Sequence, residues 1–306
     1  EHVVVLGPDR ADSISFNKHF VERRWEENPN LSQELFSRLP ASDDLVEIQF
    51  TSGTTGEPKG VLHSYNTVFS GSPARDKIYG LHSEDDSYMA STLAHHTGFC
   101  YGLLKPLAMG MKVVYQDVWD ADQMLDAVED EKIVWTLSAT AFAMDMVAAQ
   151  RRTTRDLTSF KFFICGGAAI PPKVVEEAAE FLGAQLIALW GMTENMVVTS
   201  TRPGDSVELV SNSDGTPVEW MEIRLMSDNG EVTRVGESGN LQTRGASQAL
   251  GYFHREDLYE AATPEEDWFD TGDIARLRSD GGIRIVGRTK DIVIRGGENI
   301  PVAEIE

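Results

Sequence analysis

The stretch Thr51-Ser-Gly-Thr-Thr-Gly-Glu-Pro-Lys-Gly60 decides how the rest of the chain is interpreted. Its glycines let the backbone turn tightly and expose N–H groups, its four hydroxyl side chains add hydrogen-bond donors, and Lys59 adds a positive charge. Several donors around one cation suit an oligophosphate. The preceding residues 45–50 alternate apolar and polar side chains, which predicts a strand that leads into this loop.

Two other interpretations of the loop must be weighed. A Walker P-loop needs a Gly-Lys pair followed by Ser or Thr, four residues after its first glycine, whereas Lys59 lies between Pro58 and Gly60. The Walker spacing therefore fails. A flexible surface loop of small residues stays open as the alternative to a phosphate-binding loop.

Strand-like and helix-like segments alternate from this loop to about residue 200. Strand patterns cover residues 88–93, 112–116, 133–137, 160–165 and 185–189, and helix patterns cover residues 102–109, 121–131, 141–151 and 172–182. The alternation predicts an α/β fold of mainly parallel sheets with helices on both faces. Ligands bind such sheets at the carboxyl ends of the strands, and we expect the loop at residues 51–60 to leave a strand of this kind.

The pattern of predicted secondary structure changes after about residue 205, where short strand patterns are separated by turns such as Asp280-Gly-Gly282. Close spacing of short strands predicts a small β-rich subdomain, a distorted barrel. We therefore divide the chain into an α/β part at residues 1–204, a β-rich subdomain at 205–290, and a hinge with the start of a further domain at 291–306.

Composition and charge limit the classes of partner. The net charge of −22 opposes nucleic acid and anionic membrane surfaces, and the chain lacks the run of about 18 apolar residues that predicts a transmembrane segment. Cys100 and Cys165 lie in apolar or glycine-rich contexts, which indicates reduced core thiols and a cytoplasmic protein. A nucleotide site in so acidic a chain needs local positive charge, for example from Lys59, Arg288 and a metal ion.

Four further motifs carry polar chemistry, and each also has an ordinary structural explanation. Trp190-Gly-Met-Thr-Glu194 could stack a base, bind a phosphate and hold a metal, or be a simple strand-to-loop transition. Gly166-Gly-Ala168 lies in a tight turn before a helix. Asp273, in the common turn Thr-Gly-Asp, offers a carboxylate that could hold a ribose. The pair His95-His96 has no zinc-like cluster in the surrounding sequence, which favours pocket-wall or core histidines.

Together these motifs resemble the adenylate-forming (AMP-binding) superfamily of acyl-CoA synthetases, peptide-synthetase adenylation domains and luciferases. The string from Phe50 through the loop to Val61 is similar to the signature loop of that family, and the resemblance covers nearly the whole chain. Within the family, Ala94-His-His-Thr-Gly-Phe99 and the ending Arg295-Gly-Gly-Glu-Asn-Ile-Pro look most like the acyl-CoA synthetase branch, in particular medium-chain fatty acid or cyclohexanecarboxylate CoA ligases.

The resemblance implies a role for each motif. The loop would hold the β- and γ-phosphates of ATP through Thr51, Ser52, Gly53, Thr54, Thr55, Gly56 and Lys59. Adenine would lie against the backbone of Gly166, Gly167 and Ala168 and against the side chain of Trp190, within the motif that also holds Gly191 and Met192. Tyrosine is usual at the position of Trp190, so any hydrogen bond from a phenol is lost there.

The remaining implied roles concern chemistry and movement. Thr193 would contact the α-phosphate, and Glu194 would ligate Mg²⁺. Asp273 and Arg288 would hold the ribose, and Asp291 would be a hinge. His95, rather than His96, would stand between the substrate carboxylate and the thiol of CoA.

The implied activity is that of an ATP-dependent carboxylate–CoA ligase, with ATP, Mg²⁺ and coenzyme A as cofactors. Lys59, Thr193, Glu194 and His95 are the predicted catalytic residues, and they would act mainly by neutralising charge around the phosphates. A homodimer is compatible with the resemblance. We expect the chain to be a fragment that lacks part of the N-terminal region and most of a C-terminal domain, including a lysine that the family uses in catalysis.

Three rival functions stay open on the sequence alone. A peptide-synthetase adenylation domain would need an aspartate for the substrate amine, and none can be placed. A luciferase-like oxygenase would use the same motifs. A non-catalytic nucleotide-binding module would explain the absent lysine.

Overall fold

The computed structural model describes residues 4–5, 14–51, 58–70, 72–168, 170–265, 267–289, 292–295 and 298–301. The predicted loop residues Ser52, Gly53, Thr54, Thr55 and Gly56, and the predicted hinge Asp291, lie outside these ranges. By its contacts the chain forms two compact units, Glu1–Asp44 and Leu45–Glu306. The predicted boundaries near residues 204 and 290 stay predictions.

The strands of the described residues follow in chain order. They are β1 (Val4–Val5), β2 (Ile14–Ser15), β3 (Leu45–Thr51), β4 (Lys59–Ser64), β5 (Ser87–Met89), β6 (Val113–Tyr115), β7 (Trp135–Ala139), β8 (Phe162–Gly166), β9 (Gln185–Met192), β10 (Met196–Ser200), β11 (Thr216–Pro217), β12 (Met221–Met226), β13 (Ser238–Gly245), β14 (Gly251–Tyr252), β15 (Phe269–Leu277), β16 (Ile283–Arg288), β17 (Ile292–Arg295) and β18 (Glu298–Pro301).

The α-helices of the same ranges are α1 (Leu31–Phe36), α2 (Tyr65–Phe69), α3 (Ser72–Tyr79), α4 (Lys105–Met109), α5 (Ala121–Glu131), α6 (Thr140–Gln150), α7 (Pro172–Glu177), α8 (Val207–Asn212) and α9 (Glu256–Ala262). Wider π-type turns cover Asn17–Val21, Gly98–Leu104 and Ala178–Leu182, and a 3₁₀ turn covers Trp25–Glu27. None of the helices in the described ranges is long and apolar enough to cross a membrane.

The first unit is small. Within Glu1–Asp44, β1 and β2 pair in parallel, and α1 is its one α-helix within the described residues.

The second unit is built on a seven-stranded sheet of order β11-β10-β9-β8-β7-β5-β6. The strands from β9 to β6 run parallel, and β10 and β11 continue the sheet in antiparallel fashion. This arrangement confirms the predicted α/β class with a mainly parallel sheet.

Successive side chains along the strands of this sheet point to opposite faces and pack in two separate hydrophobic cores. Phe163 and Cys165 of β8 pack with helices α5, α6 and α7, whereas Ile164 between them packs with the opposite cluster, as the period of two in a strand requires. Helix α5 has its predicted bounds. The side chain of Asp120 caps the start of this helix by accepting hydrogen bonds from the backbone N–H groups of Asp122 and Gln123. Both cysteines are buried and neither forms a disulfide, as predicted.

The glycine-rich loop joins two antiparallel strands, which corrects the expectation that it leaves a strand of the parallel sheet. β3 pairs with β4, with Thr51 opposite Lys59, and β4 pairs with β14, so these strands form a separate three-stranded sheet. Alternating residues predict a strand but not the direction of its partner, and a short connection suffices between antiparallel strands.

The β-rich region contains a four-stranded antiparallel sheet of order β12-β13-β15-β16. β15 begins at Phe269, so the whole Asp270-Thr-Gly-Asp273 motif lies inside a strand. The register of β15 with β16 shifts after Ile274 and places Asp273 opposite Arg288. The two predicted ribose residues are therefore cross-strand neighbours.

Candidate active site

A cavity of about 1050 Å³ is lined by residues from the seven-stranded, the four-stranded and the three-stranded sheet of the second unit. Every predicted site residue within the described ranges lines it: Thr51, Lys59, His95, Gly166, Gly167, Ala168, Trp190, Gly191, Met192, Thr193, Glu194, Asp273 and Arg288. The structure thus brings these residues together, and the role of each one stays a prediction.

Thr193 is held by a histidine that the sequence did not single out. The Nε2 atom of buried His63, on β4, lies 2.7 Å from the carbonyl oxygen of Thr193, and its Nδ1 lies 2.9 Å from Oγ1 of Thr67. Because a carbonyl can only accept, Nε2 carries the hydrogen, and the neutral ring accepts at Nδ1 from the hydroxyl of Thr67.

The pKa of His63 is lowered to about 4, mainly by burial and then by the nearby charge of His96. In the unfolded chain the same ring titrates near pH 6.5, so the unfolded state binds more protons between these pH values. The free energy of unfolding should therefore fall as the pH falls from 6.5 to 4, by up to about 3 kcal/mol from this residue. Denaturant unfolding of wild type and His63→Gln across this range measures the effect.

Glutamine is the matched replacement because its amide N–H can still donate while the side chain no longer titrates. The difference in unfolding free energy between wild type and variant should shrink toward acid. Parallel curves for the two proteins would contradict the neutral state of His63.

Glu194 is held from the same small sheet. The hydroxyl of buried Tyr252, on β14, donates to Oε1 of Glu194 at 2.8 Å, and the backbone N–H of Ala249 donates to the carbonyl oxygen of Glu194 at 2.7 Å. Nζ of Lys59 lies 4.9 Å from the centre of the Tyr252 ring. One tyrosine thus contacts both the predicted metal ligand and the predicted phosphate-binding lysine.

The oxygen atoms of Thr193 and Glu194 are ligands of the kind that suits a magnesium ion. Mg²⁺ prefers oxygen ligands and is usually bound through one or two carboxylates together with substrate phosphates. Glu194 offers such a carboxylate beside the hydroxyl-bearing Thr193 at the wall of the cavity. The chemistry of the residues is therefore compatible with a metal that accompanies a phosphate ligand.

Trp190 and Asp273 are joined by a hydrogen bond. Nε1–H of the Trp190 indole donates to Oδ2 of Asp273 at 2.9 Å, and Arg288 forms an ion pair with Oδ1 of the same carboxylate. A phenol hydrogen bond is impossible at this position, as expected, but the indole N–H supplies a side-chain hydrogen bond of its own. Burial raises the pKa of Asp273, and Arg288 and Trp190 oppose that effect.

A second buried carboxylate, Asp214, also lines the cavity and was missed in the sequence. Its Oδ2 accepts from the backbone N–H of Ile285 at 2.7 Å, and Arg284 lies 3.4 Å from its Oδ1. Burial raises the pKa of Asp214. The one sequence feature that marks this carboxylate is the dipeptide Asp214-Gly215, which is typical of a turn. In the structure Gly215 has a φ of 90°.

The two adjacent histidines have different surroundings, although both line the cavity. The backbone N–H of Thr97 donates to Nδ1 of His95 at 3.2 Å, which leaves the hydrogen of the neutral ring on Nε2. Buried His96 lies 3.0 Å from Oε2 of Glu47 through Nδ1. Glu47 could not be linked to His96 from local motifs, because the two residues are 49 positions apart.

Glu47, His96 and Cys100 form a cluster of metal-binding residue types that the sequence analysis did not find. The sulfur of Cys100 lies 3.7 Å from Nδ1 and 3.8 Å from Nε2 of His96. Glu47, His96 and Cys100 thus form a close hydrogen-bonded cluster of residue types that can also bind a metal ion.

Comparison with known proteins shows the family of this chain. The family described as AMP-binding enzyme matches residues 5–253. The chain belongs to the AMP-binding enzyme family. The chain spans about half the length of the curated relatives it matches.

Three relatives illustrate the match. The medium-chain fatty-acid–CoA ligase of Escherichia coli (strain K12) is 34% identical over 264 residues, which cover 86% of this chain and 46% of the relative. A solved structure of a double mutant of o-succinylbenzoate CoA synthetase from Bacillus subtilis, bound with the product analogue OSB-NCoA, superimposes with a TM-score of 0.79 at 28% identity. The superposition covers 87% of this chain and 54% of the synthetase chain. The same synthetase in complex with ATP and magnesium ion gives a TM-score of 0.75 at 28% identity, over 87% and 55% of the two chains.

Proposed function

We propose that this AMP-binding chain is the nucleotide- and acid-binding part of an ATP-dependent carboxylate–CoA ligase. In the proposed reaction, a carboxylate oxygen attacks the α-phosphorus of ATP and releases diphosphate, and the sulfur of coenzyme A then displaces AMP from the acyl-adenylate. The observation that carries the proposal is one cavity lined by the residues predicted to bind the phosphates, the ribose and the acid.

The first step brings an anionic carboxylate to an anionic phosphate, so the site must neutralise charge. Lys59 and the hydroxyl of Thr193 supply positive charge and a hydrogen-bond donor at the phosphates. Such groups act by preorganised electrostatics in a site of this kind. Glu194 would hold Mg²⁺, which when bound would neutralise further phosphate charge.

The nucleoside is assigned to the other polar wall of the cavity. Asp273 and Arg288 would contact the ribose, and the Trp190 ring would lie against adenine. The bond from Trp190 to Asp273 fixes the base-binding ring and the ribose-binding carboxylate relative to each other. His95, with its hydrogen on Nε2, is assigned to the carboxylate of the acid.

The acid is proposed to be of medium chain length or alicyclic. Apolar side chains form part of the cavity lining, among them Leu137, Phe142 and Val197. The name of the Escherichia coli relative gives a medium-chain fatty acid as its substrate. We accordingly propose a role in fatty acid metabolism, and the absence of a disulfide at Cys100 and Cys165 supports a reducing, cytoplasmic setting.

The test is calorimetric titration of the chain with non-hydrolysable acyl-AMP mimics. Octanoyl and cyclohexanecarbonyl forms should bind much more tightly than AMP, because they fill both the nucleotide and the acid parts of the cavity. An aminoacyl form should bind more weakly, because its ammonium group would lose water on entering a part of the cavity assigned to an apolar chain. Equal affinities for AMP and all acyl forms would support a nucleotide-binding module instead.

A further inference from the structure

The cluster of Glu47, His96 and Cys100 has no part in the proposed reaction. The side chains of Glu47 and His96 are 5% and 8% exposed, and Cys100 is 3% exposed. Glu47 lies on β3, whereas His96 lies just before the π-type turn Gly98–Leu104 that contains Cys100. Residues four positions apart in a helical segment lie on one face, so His96 and Cys100 meet Glu47 together.

The atoms that meet in this cluster need a positive charge between them. Nε2 of His96 lies 2.7 Å from the sulfur of Met196, which can only accept, so the neutral ring carries its hydrogen on Nε2 and a lone pair on Nδ1. Nδ1 lies 3.0 Å from Oε2 of Glu47, whose ionised carboxylate also only accepts. Two acceptors at this distance require either a proton or a metal ion between them.

The second oxygen of Glu47 favours the metal ion. Oε1 is buried and has no hydrogen-bond partner within the described ranges, a state that costs free energy for any acceptor. A proton between Nδ1 and Oε2 leaves Oε1 unpaired, whereas a metal ion brings a bound water that can donate to it. The metal ion also engages the sulfur of Cys100, which lies 3.6 Å from Oε2.

The separations between the three ligand atoms suit zinc. Sγ of Cys100 lies 3.7 Å from Nδ1 of His96 and 3.6 Å from Oε2 of Glu47, and Nδ1 lies 3.0 Å from Oε2. Bond lengths to tetrahedral zinc place neighbouring sulfur, nitrogen and oxygen ligands about 3.3 to 3.6 Å apart, so each separation is within about 0.3 Å of that range. A turn of the imidazole about its broad χ2 torsion aims Nδ1 at the ion.

The charges balance when zinc binds. The thiol of Cys100 loses its proton to solvent as the bond from sulfur to zinc forms, and no group is oxidised or reduced. One thiolate and one carboxylate then cancel the two positive charges of the ion, so the buried site is neutral and avoids the cost of an uncompensated charge. Mg²⁺, which prefers oxygen ligands only, suits these residues poorly.

The main cavity provides a path for the ion. His96 and Met196 both line that cavity, so the inner side of the cluster is reached from the space that small molecules enter. Three protein ligands leave the fourth position of a tetrahedral zinc ion to water.

We propose that Glu47, His96 and Cys100 bind one Zn²⁺ ion, with water in the fourth position. The ion joins β3 to the segment that begins at His96 and thereby stabilises the fold. This proposal goes beyond the ligase function and does not depend on it, because none of the three residues is assigned to ATP, to the acid or to coenzyme A.

The test begins with the wild-type chain freed of metal by a chelator. Titration with zinc against a chromophoric chelator, without nucleotide, should show one tightly bound ion per chain. The thermal midpoint should rise when zinc is added, because the ion binds the folded state. Cobalt in place of zinc should give the near-ultraviolet charge-transfer absorption of a thiolate bound to cobalt.

Three variants locate the ion. Cys100→Ser, His96→Gln and Glu47→Gln should each weaken zinc binding at least about 100-fold, since loss of even an outer partner of a ligand costs about 10- to 100-fold. Cys100→Ser should also remove the charge-transfer absorption of cobalt. Cys165→Ser is the matched control, because it changes the other buried cysteine, and it should keep both the affinity and the absorption. Thermal midpoints in chelator show which variants are folded.

A wild-type chain that binds no zinc in this titration would overturn the proposal without reference to any variant. Zinc affinity that survives in folded Cys100→Ser and His96→Gln, or that is lost in Cys165→Ser, would place the ion elsewhere and also overturn it. Each of these results leaves the ligase proposal intact, because the titration with acyl-AMP mimics tests that proposal separately.

Discussion

Replacing Glu194 by glutamine should remove most of the effect of Mg²⁺ on ATP binding. Glutamine keeps an oxygen that can accept from Tyr252 but loses the charge that holds a divalent cation, so the fold should persist. Loss of even an outer partner of a metal ligand costs about 10- to 100-fold in metal affinity, and loss of the ligand itself should cost at least about 100-fold. Calorimetric titration with ATP in magnesium or in chelator measures the difference.

Tyr252→Phe is the matched control, because it removes the hydroxyl that donates to Glu194 at 2.8 Å without removing the carboxylate. It should retain the magnesium effect with a smaller loss. If Glu194→Gln binds ATP with the same magnesium dependence as wild type, Glu194 is not the metal ligand.

Replacing Lys59 by methionine should weaken ATP binding by about 10- to 100-fold, the loss expected for one hydrogen bond to a charged group. AMP should bind with nearly unchanged affinity, because the predicted partners of Lys59 are the β- and γ-phosphates, which AMP lacks. Methionine preserves the packing over the Tyr252 ring. Competition titration of both nucleotides against a fluorescent ATP analogue gives both affinities.

The exposed Lys161 provides the control for a general loss of positive charge. Lys161→Met should leave both affinities unchanged in a chain of net charge −22, where long-range attraction is absent in any case. Equal weakening of AMP and ATP in Lys59→Met would move that lysine away from the terminal phosphates.

Local signals predicted much of the fold. The predicted bounds of α5 match the structure, and short apolar runs predicted strands that overlap β8 and β9 without matching their ends. The partner of β3 was not predictable in this way, because strand alternation is a property of one segment and pairing is a property of two. The same limitation applies to Asp270–Asp273, where a turn motif lies inside β15.

The site was predictable to the extent that its residues stand in continuous motifs at strand ends. The residues that support those motifs were not. His63 reaches Thr193 across 130 positions and Tyr252 reaches Glu194 across 58. Each is an ordinary residue of a strand in the sequence, and only the packing of the three-stranded sheet against β9 and the residues that follow it gives it a partner.

That packing has a consequence for the entropy of ligand binding. His63 and Tyr252 constrain Thr193 and Glu194. The strand of His63, β4, follows the predicted phosphate loop and pairs with β14, the strand of Tyr252. The conformational entropy of these two side chains is then lost when the chain folds and not when a ligand binds. A nucleotide that arrives at this cavity meets a preorganised pair, so more of its contact energy is available as affinity.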